Sequence, residues 1–346
     1  MSTDSSRAKA EPRSTGTIEQ PEPTTPSILA LAGGVGGAKL AHGLAMILPA
    51  GALSVVVNTG DDFKLWGLHI SPDIDTVMYT LAGLANRAQG WGLEGDTTKG
   101  MEMLARYGVD QWFLLGDMDV STHLLRTYLL NQGRTLTEIT AQMSTSLGIR
   151  SAILPMCNEP VETFVQTAEG PLDFQTYFVA HRHADSVSGV VLKGIEGAQP
   201  TPEVLAALSN AQAVVFCPSN PFVSIGPVLK VPGLRDALTT SNAPKVAVSP
   251  IVGGAALKGP AAAMLASMGY EVSPVGVAGI YQGVIDGMII DRRDEHDAPR
   301  IEALGIAVEI ADTIMRSDDD RRALGEVALH FCEQLAGNQR PPGREN

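Results

Sequence analysis

Cysteine is scarce in this chain, basic residues are outnumbered, and no apolar stretch is long. The three cysteines, Cys157, Cys217 and Cys332, lie far apart with no CxxC pair. They supply neither a disulfide framework nor a zinc site, and the usage fits a reducing cytoplasm. Lys and Arg number 25 against 38 Asp and Glu, a formal net charge of −13 at pH 7. That balance disfavours a non-specific nucleic-acid binder or an anionic-membrane binder, because both need a basic field. Nothing approaches the roughly 18–20 uninterrupted apolar residues of a membrane span. The seven histidines show no HExxH or other compact ligand spacing and read as structural or surface groups.

Residues 1–26 contain nine Ser/Thr, four Pro and seven charged residues. They hold no apolar core of a signal peptide, and the composition predicts a disordered leader. The tail from Gly337 (GNQRPPGREN) reads as similarly loose. Between them, 44% overall apolar content supports a large buried core.

The folded part starts at Ser27. Ile28–Ala32 and Ser54–Val57 are short continuous apolar runs, the pattern of strands buried on both faces. Between them lie Gly33–Gly37 and a helical pattern over Ala38–Ile47, together a βαβ unit with a parallel sheet. The alternation continues with a helix over Asp73–Ala88, a strand over Gln111–Leu115, and helices near Thr122–Asn131 and Thr137–Leu147. Residues 151–195 carry short β-rich runs without helical spacers: Ser151–Leu154, Glu162–Thr167, Leu172–Val179 and Val190–Leu192. They predict an antiparallel insertion. From residue 201, helix and strand patterns resume and end in a helix over Asp318–Leu335. The expected fold is α/β: a doubly wound, mainly parallel Rossmann-like sheet with a smaller inserted β-containing subdomain. Its core halves are 27–150 and 201–336, and the insertion is 151–200.

Chemistry concentrates at strand ends. Gly33, Gly34, Gly36 and Gly37, between a buried strand and a helix, let backbone N–H groups approach a phosphate, with Lys39 one turn on. The loop fails the dinucleotide fingerprint, whose third glycine falls on Lys39, and it lacks the G-K-[ST] of a Walker loop. A tight βα turn with a solvated lysine is the plainer alternative. Asn58-Thr59-Gly60-Asp61-Asp62 places paired carboxylates at the sheet edge where ligands bind, and such pairs suit Mg²⁺. An Asx-type turn with both acids in water is the competing reading. In Ser71-Pro72-Asp73-Ile74-Asp75, local physics explains Asp75 equally well by helix capping or by function. Gly116-Asp117-Met118-Asp119 adds a second carboxylate pair at the same edge. The punctuated loops around Ser219, Asn220 and Ser224, and around Lys258, fit phosphate or nucleotide contact, although surface loops are often no more than that.

These segments carry a resemblance. AGGVGGAKL (32–40), VNTGDD (57–62), SPDIDTVMYTLAG (71–83), LGDMD (115–119), PSNPFVSIGPVL (218–229) and SPIVGGAALKGPA (249–261) resemble the 2-phospho-L-lactate transferase family, in order along nearly the whole folded chain. The family includes bacterial phosphoenolpyruvate-type enzymes of coenzyme F-420 biosynthesis. The resemblance implies transfer of a phospho-lactyl or phospho-enolpyruvyl group from a guanosine diphosphate conjugate to the deazaflavin alcohol FO. GMP is released and Mg²⁺ is required. It also implies a cytoplasmic enzyme acting on small molecules, without nucleic acid or membrane, and a homodimer. By the same resemblance, Gly33–Gly37, Ser219, Asn220, Ser224 and Lys258 face the donor, while Asp61, Asp62 and Asp75 lie near FO and the metal; Lys39, from its place in the first helical turn, and Asn58 are further expected substrate-binding residues. Asp62 and Asp75 are the candidate bases. Relatives often have Arg or Lys where this chain has Met118. Two alternatives stand beside this reading: a non-enzymatic regulator that binds nucleotide sugars, and a dinucleotide-dependent oxidoreductase. The intact NTGDD and PDIDTVMYTL segments favour the transferase.

The composition of residues 1–26 generates a first prediction. Their deletion leaves the melting temperature and turnover nearly unchanged, and a large loss of either shows that the leader docks on the fold.

Overall fold

A computed structural model describes residues 27–339. The expected leader, and the part of the expected loose tail beyond residue 339, lie outside the described residues.

All five residues of strand β1 (Ile28–Ala32) are buried, as the unbroken apolar run requires. Leu29 and Leu31 join a core on one face of the sheet, whereas Ala30 and Ala32 join a core on the other. Helix α1 (Gly34–Ile47) follows, then β2 (Leu53–Val57). A short hairpin, β3 (Phe63–Leu65) and β4 (Leu68–Ile70), precedes α2 (Pro72–Leu81), α3 (Lys99–Arg106), α4 (Asp117–Asn131), α5 (Leu136–Ser146) and β5 (Ala152–Pro155). An antiparallel sheet, β6 (Glu162–Thr167), β7 (Gly170–Asp173) and β8 (Gly189–Lys193), stands apart from the main sheet. The second half runs through α6 (Pro202–Asn210), β9 (Ala213–Phe216), α7 (Ile225–Lys230), α8 (Leu234–Thr240) and β10 (Lys245–Val248). It continues with β11 (Ile251–Val252), β12 (Ala255–Ala256), α9 (Ala261–Ser267), α10 (Pro274–Tyr281), β13 (Gly287–Asp291), α11 (Ala298–Glu302), β14 (Ala307–Ala311) and α12 (Asp318–Gln339).

The central sheet has seven parallel strands in the order β14-β13-β10-β9-β1-β2-β5. The winding reverses between β1 and β9, which pair from Ile28↔Ala213 to Leu31↔Phe216. In open α/β sheets that reversal opens a ligand crevice at the carboxyl ends of the strands. The α/β, Rossmann-like expectation therefore holds. Among the described residues no helix is long and apolar enough to cross a membrane.

Several elements differ from expectation. The helix expected from Ala38 starts at Gly34, so the glycine cluster forms its first turn. Gly34 takes φ +62°, a conformation glycine adopts without strain. The helix expected over Asp73–Ala88 stops at Leu81, just before Gly83 with φ +72°. Gln111–Leu115 is not a strand. Its Trp112 and Phe113 pack on Phe63, and Leu115 on Leu65 and Ile70, in a small satellite core. Ser151–Leu154 supplies β5 to the edge of the central sheet, beside β2, instead of joining the insertion. The run Leu172–Val179 divides into β7 and a π-helical turn at Thr176–Ala180. Helix α12 continues through Gly337 to Gln339, where a loose tail was expected.

Glycine in α1 has a steric cause. A Cβ at Gly36 would strike the Pro218 carbonyl oxygen beyond β9. Gly36→Ala is expected to lose about 1–3 kcal/mol in urea unfolding. Gly279→Ala in α10, where the added methyl meets open space, is expected to be neutral or to gain up to about 1 kcal/mol. Equal behaviour of the two variants overturns the close-approach argument.

Candidate active site

Two loops meet where the winding reverses: Gly33 after β1, and Pro218-Ser219 after β9. Ser219 Oγ accepts the Gly33 N–H at 3.1 Å and donates to the Gly33 carbonyl at 2.8 Å. A Cβ at Gly37 would lie 2.5 Å from that same hydroxyl. Over this seam opens a cavity of about 860 Å³.

Most of the expected site residues share its wall. Gly33, Gly34, Gly36 and Lys39 line one end, with Ser219, Asn220 and Ser224 across the seam. Asp61, Asp75 and Lys258 line it too. Three expected residues, Gly37, Asn58 and Asp62, are not among the lining groups. Asn58 braces the wall from behind, its Nδ2 donating to Asp73 Oδ2 at 2.9 Å and to the Val223 carbonyl at 3.0 Å.

The two lysines come from opposite halves of the chain. Lys39 Nζ donates to the Met315 carbonyl and Lys258 Nζ to the Gln89 carbonyl, each at 2.9 Å. Burial, then the charges of Arg321 and Lys258, hold the Lys39 ammonium below its ordinary pKa. An anion placed between the lysines would relieve that repulsion.

The acids separate into two kinds. Asp73, which also lines the cavity, accepts the Gly34 N–H at 2.6 Å and sits at the amino end of α1. Burial raises its pKa to about 6 against the pull of those hydrogen bonds. Asp61 is pushed well above the carboxylate range by burial and then by the charge of Asp73. Its Oδ1 is buried without a partner, as is Asp62 Oδ1. The other Asp62 oxygen accepts from Ser71 Oγ at 2.6 Å and faces His69 Nε2 at 3.0 Å. Asp75 is different: Arg126 holds both of its oxygens, one of them at 3.0 Å. Burial raises the Asp75 pKa, and the Arg126 charge beside it lowers it.

The expected metal set of Asp61, Asp62 and Asp75 does not converge on one point. Among the described residues the one group with metal-ligand spacing is Asp75, Asp119 and His123. Asp61 and Asp62 each keep one buried oxygen without a partner, and hard oxygen donors of that kind suit Mg²⁺. Aromatic rings complete the cavity. Phe174 and Phe178 stack at 5.7 Å, with His183 against Phe178 at 6.0 Å, and Trp112 and Phe113 also line it.

The sequence reading missed Asp73, His123 and Arg126 as site groups. Asp119, His123 and Arg126 stand at i, i+4 and i+7 on α4, one helical face, so their spacing was a readable signal.

The fold and this cavity define a doubly wound α/β protein with an acidic, lysine-flanked ligand crevice at the sheet's switch point. A family model described as 2-phospho-L-lactate transferase CofD matches residues 28–318. The chain belongs to this family, and is by that membership a transferase. It is 39% identical over 302 residues to a 2-phospho-L-lactate transferase of Methanosarcina mazei, covering 87% of this chain and 99% of that protein. It is 40% identical over 314 residues to a phosphoenolpyruvate transferase of Streptomyces griseus, covering 89% and 99%. The solved structure of protein BH3568 from Bacillus halodurans shares the fold, with a TM-score of 0.62 at 18% identity, covering 88% of this chain and 100% of that one.

The raised carboxyls set a pH dependence. A carboxyl whose folded pKa exceeds its unfolded value stabilises the fold most at low pH and loses that contribution as pH rises through the folded pKa. For Asp73 the loss runs from about pH 4 to above pH 6. Asp61→Asn removes one of the two opposed charges. Its stability relative to wild type is expected to rise between pH 4.5 and 7.5. Urea unfolding at both pH values measures this, and a pH-independent difference overturns the assignment.

Proposed function

We propose that the protein transfers a phospho-lactyl or phospho-enolpyruvyl group from a guanosine diphosphate conjugate to FO, giving the first coenzyme F-420 species and GMP. The observation that carries this reading is one large cavity whose wall combines the glycine turn and two lysines with buried carboxylates and aromatic rings. Its matched sequence motifs and the names of its relatives support it.

The first turn of α1, with Lys39 and Lys258, suits a diphosphate: backbone amides and the helix dipole favour anions there, and the ammonium groups add charge-assisted bonds. Phe174, Phe178 and Trp112 suit a flat ring system. With both ligands bound, the terminal hydroxyl of FO would lie beside the phosphorus that carries the acid group. Its oxygen forms the new P–O bond as the bond to GMP breaks, and its proton passes to a carboxylate. Such transfers need positioning and charge neutralisation more than covalent catalysis.

Asp73, with a pKa near 6, is better matched to receiving that proton than Asp62 or Asp75, the candidates named from sequence. Asp62 is tied to Ser71, and Asp75 to Arg126. Asp61, with Asp62 next to it in the chain, suits holding Mg²⁺, which would neutralise charge developing on the phosphate of the departing GMP. The buried free thiols Cys157, Cys217 and Cys332 support the cytoplasmic location included in this proposal. A homodimer is also included, and the apolar outer face of α4, with Leu124, Leu125 and Tyr128 exposed, supports one.

Purified protein given FO, Mg²⁺ and each lactyl, enolpyruvyl or glyceryl guanosine diphosphate conjugate should yield GMP and a phosphodiester of FO by mass spectrometry. No GMP with any donor sinks the reading. Lys39→Ala and Lys258→Ala are each expected to weaken donor binding about 10- to 100-fold in calorimetry, with FO binding little changed. Unchanged donor affinity in both variants removes the shared-diphosphate arrangement.

A further inference from the structure

One polar group on the cavity wall is unused by the chemistry above. His123, on α4, is 2% exposed by side chain, and its Nε2 is buried without a hydrogen-bond partner. The residue lines the cavity next to Asp119, which Tyr79 contacts, and Trp112 lines the same cavity. Buried ring nitrogens are normally satisfied, so an orphan on a cavity wall calls for an explanation.

The neighbours of the ring fix what that nitrogen offers. Arg126 Nη1 lies 3.3 Å from His123 Nδ1. A guanidinium only donates, so Nδ1 accepts and the ring proton sits on Nε2. An Asp75 oxygen also lies near Nδ1, but at 3.5 Å, and it already accepts from Arg126 Nη1 at 3.0 Å. Arg126 itself is held through both oxygens of Asp75. The Asp75–Arg126 pair thus sets both the tautomer and the orientation of the imidazole.

Beside this donor stands an acceptor. Asp119 Oδ1 lies 3.4 Å from Nε2, in no hydrogen-bonding alignment with it, and is oriented by the Tyr79 hydroxyl at 2.7 Å. The Asp119 side chain is 13% exposed and also lines the cavity. A fixed N–H donor next to a fixed carboxylate acceptor is complementary to a ring carbonyl next to a ring N–H.

We propose that His123 and Asp119 form a recognition pair for the cyclic amide edge of a heterocycle, with Asp75, Arg126 and Tyr79 as positioning residues. His123 Nε2–H donates to the ring carbonyl and the Asp119 carboxylate accepts the adjacent ring N–H. Two components of the proposed reaction present this edge: the pyrimidinedione ring of the deazaflavin and the guanine base of the donor. The aromatic rings nearby give either a stacking surface. This inference rests on the transferase reading above. A divalent cation is the other occupant that Asp75, Asp119 and His123 could hold by spacing. The Arg126 guanidinium, bonded to two of those three side chains, opposes it by placing a fixed positive charge against the cation.

The test titrates free FO and GDP separately, without donor conjugate, into wild type, His123→Phe, His123→Gln and Asp119→Asn. Melting temperatures establish that each variant is folded. His123→Phe keeps a ring without its N–H and is expected to weaken one ligand at least 10-fold while leaving the other within about twofold. His123→Gln, which retains an N–H donor, is expected to recover much of the loss. If the deazaflavin is the occupant, FO methylated on its pyrimidinedione nitrogen is expected to bind wild type weakly and to show no further loss with Asp119→Asn. Loss confined to FO assigns the pair to the deazaflavin, and loss confined to GDP assigns it to guanine; either supports the pair. Unchanged affinity for both ligands in the Phe and Asn variants overturns it. So does a calorimetric Mn²⁺ site in wild type that vanishes in His123→Phe. Wild-type protein that binds neither FO nor GDP overturns the transferase reading itself, and the pair with it.

Discussion

The contact between the turn after β1 and the loop after β9 governs the rest of the site. Parallel winding forces these loops to diverge to opposite faces of the sheet, which leaves a crevice between them. Here the crevice is narrowed at its floor until backbone meets backbone. Gly36 faces the Pro218 carbonyl, and Ser219 bonds both polar groups of Gly33. The first turn of α1 is thereby fixed relative to the second half of the chain. Lys39, Asp73 and the bracing Asn58 take their positions from that fixed turn.

The electrostatics show how an acidic protein can house an anionic ligand. Its buried carboxylates are not equivalent. Asp75 is neutralised in place by Arg126, so it contributes rigidity and little net field. Burial lifts both Asp61 and Asp73 toward the protonated form, and the Asp73 charge adds to the shift of Asp61. The lysines at the other end are held by carbonyl oxygens rather than by acids, so their charge stays available.

Much of this was legible in the chain. The strands of the central sheet with continuous apolar runs read correctly, because burial on both faces leaves no polar alternation to confuse them. The glycine loop and the acids at strand ends pointed to the right edge of the sheet. The failures have physical causes. Gln111–Leu115 has the composition of a buried strand, but its rings serve a satellite core, and a five-residue apolar run cannot distinguish the two. The β3–β4 hairpin turns through Trp66-Gly67, with φ +50° at Trp66. A tryptophan in that place gives no turn signal, since Asn, Asp or Gly is the usual occupant. Asp73 looked like a capping residue of its own helix. It instead caps the neighbouring helix α1, a partnership across 39 positions that local spacing cannot reveal.

That last bond has a consequence for selectivity. With its carboxylate on the Gly34 amide, Asp73 acts as an internal anion, occupying the place a phosphate oxygen would take at the head of α1. Any incoming anion must compete with a group tethered at very high effective concentration. A small anion offering only one or two bonds gains too little to displace it. The proposed donor, its diphosphate also held by two lysines and its nucleoside and acid parts bound elsewhere in the cavity, would gain enough. Under the proposed function the tethered carboxylate would work as a threshold, closing the helix terminus to abundant inorganic phosphate while leaving it open to a ligand that grips the whole cavity.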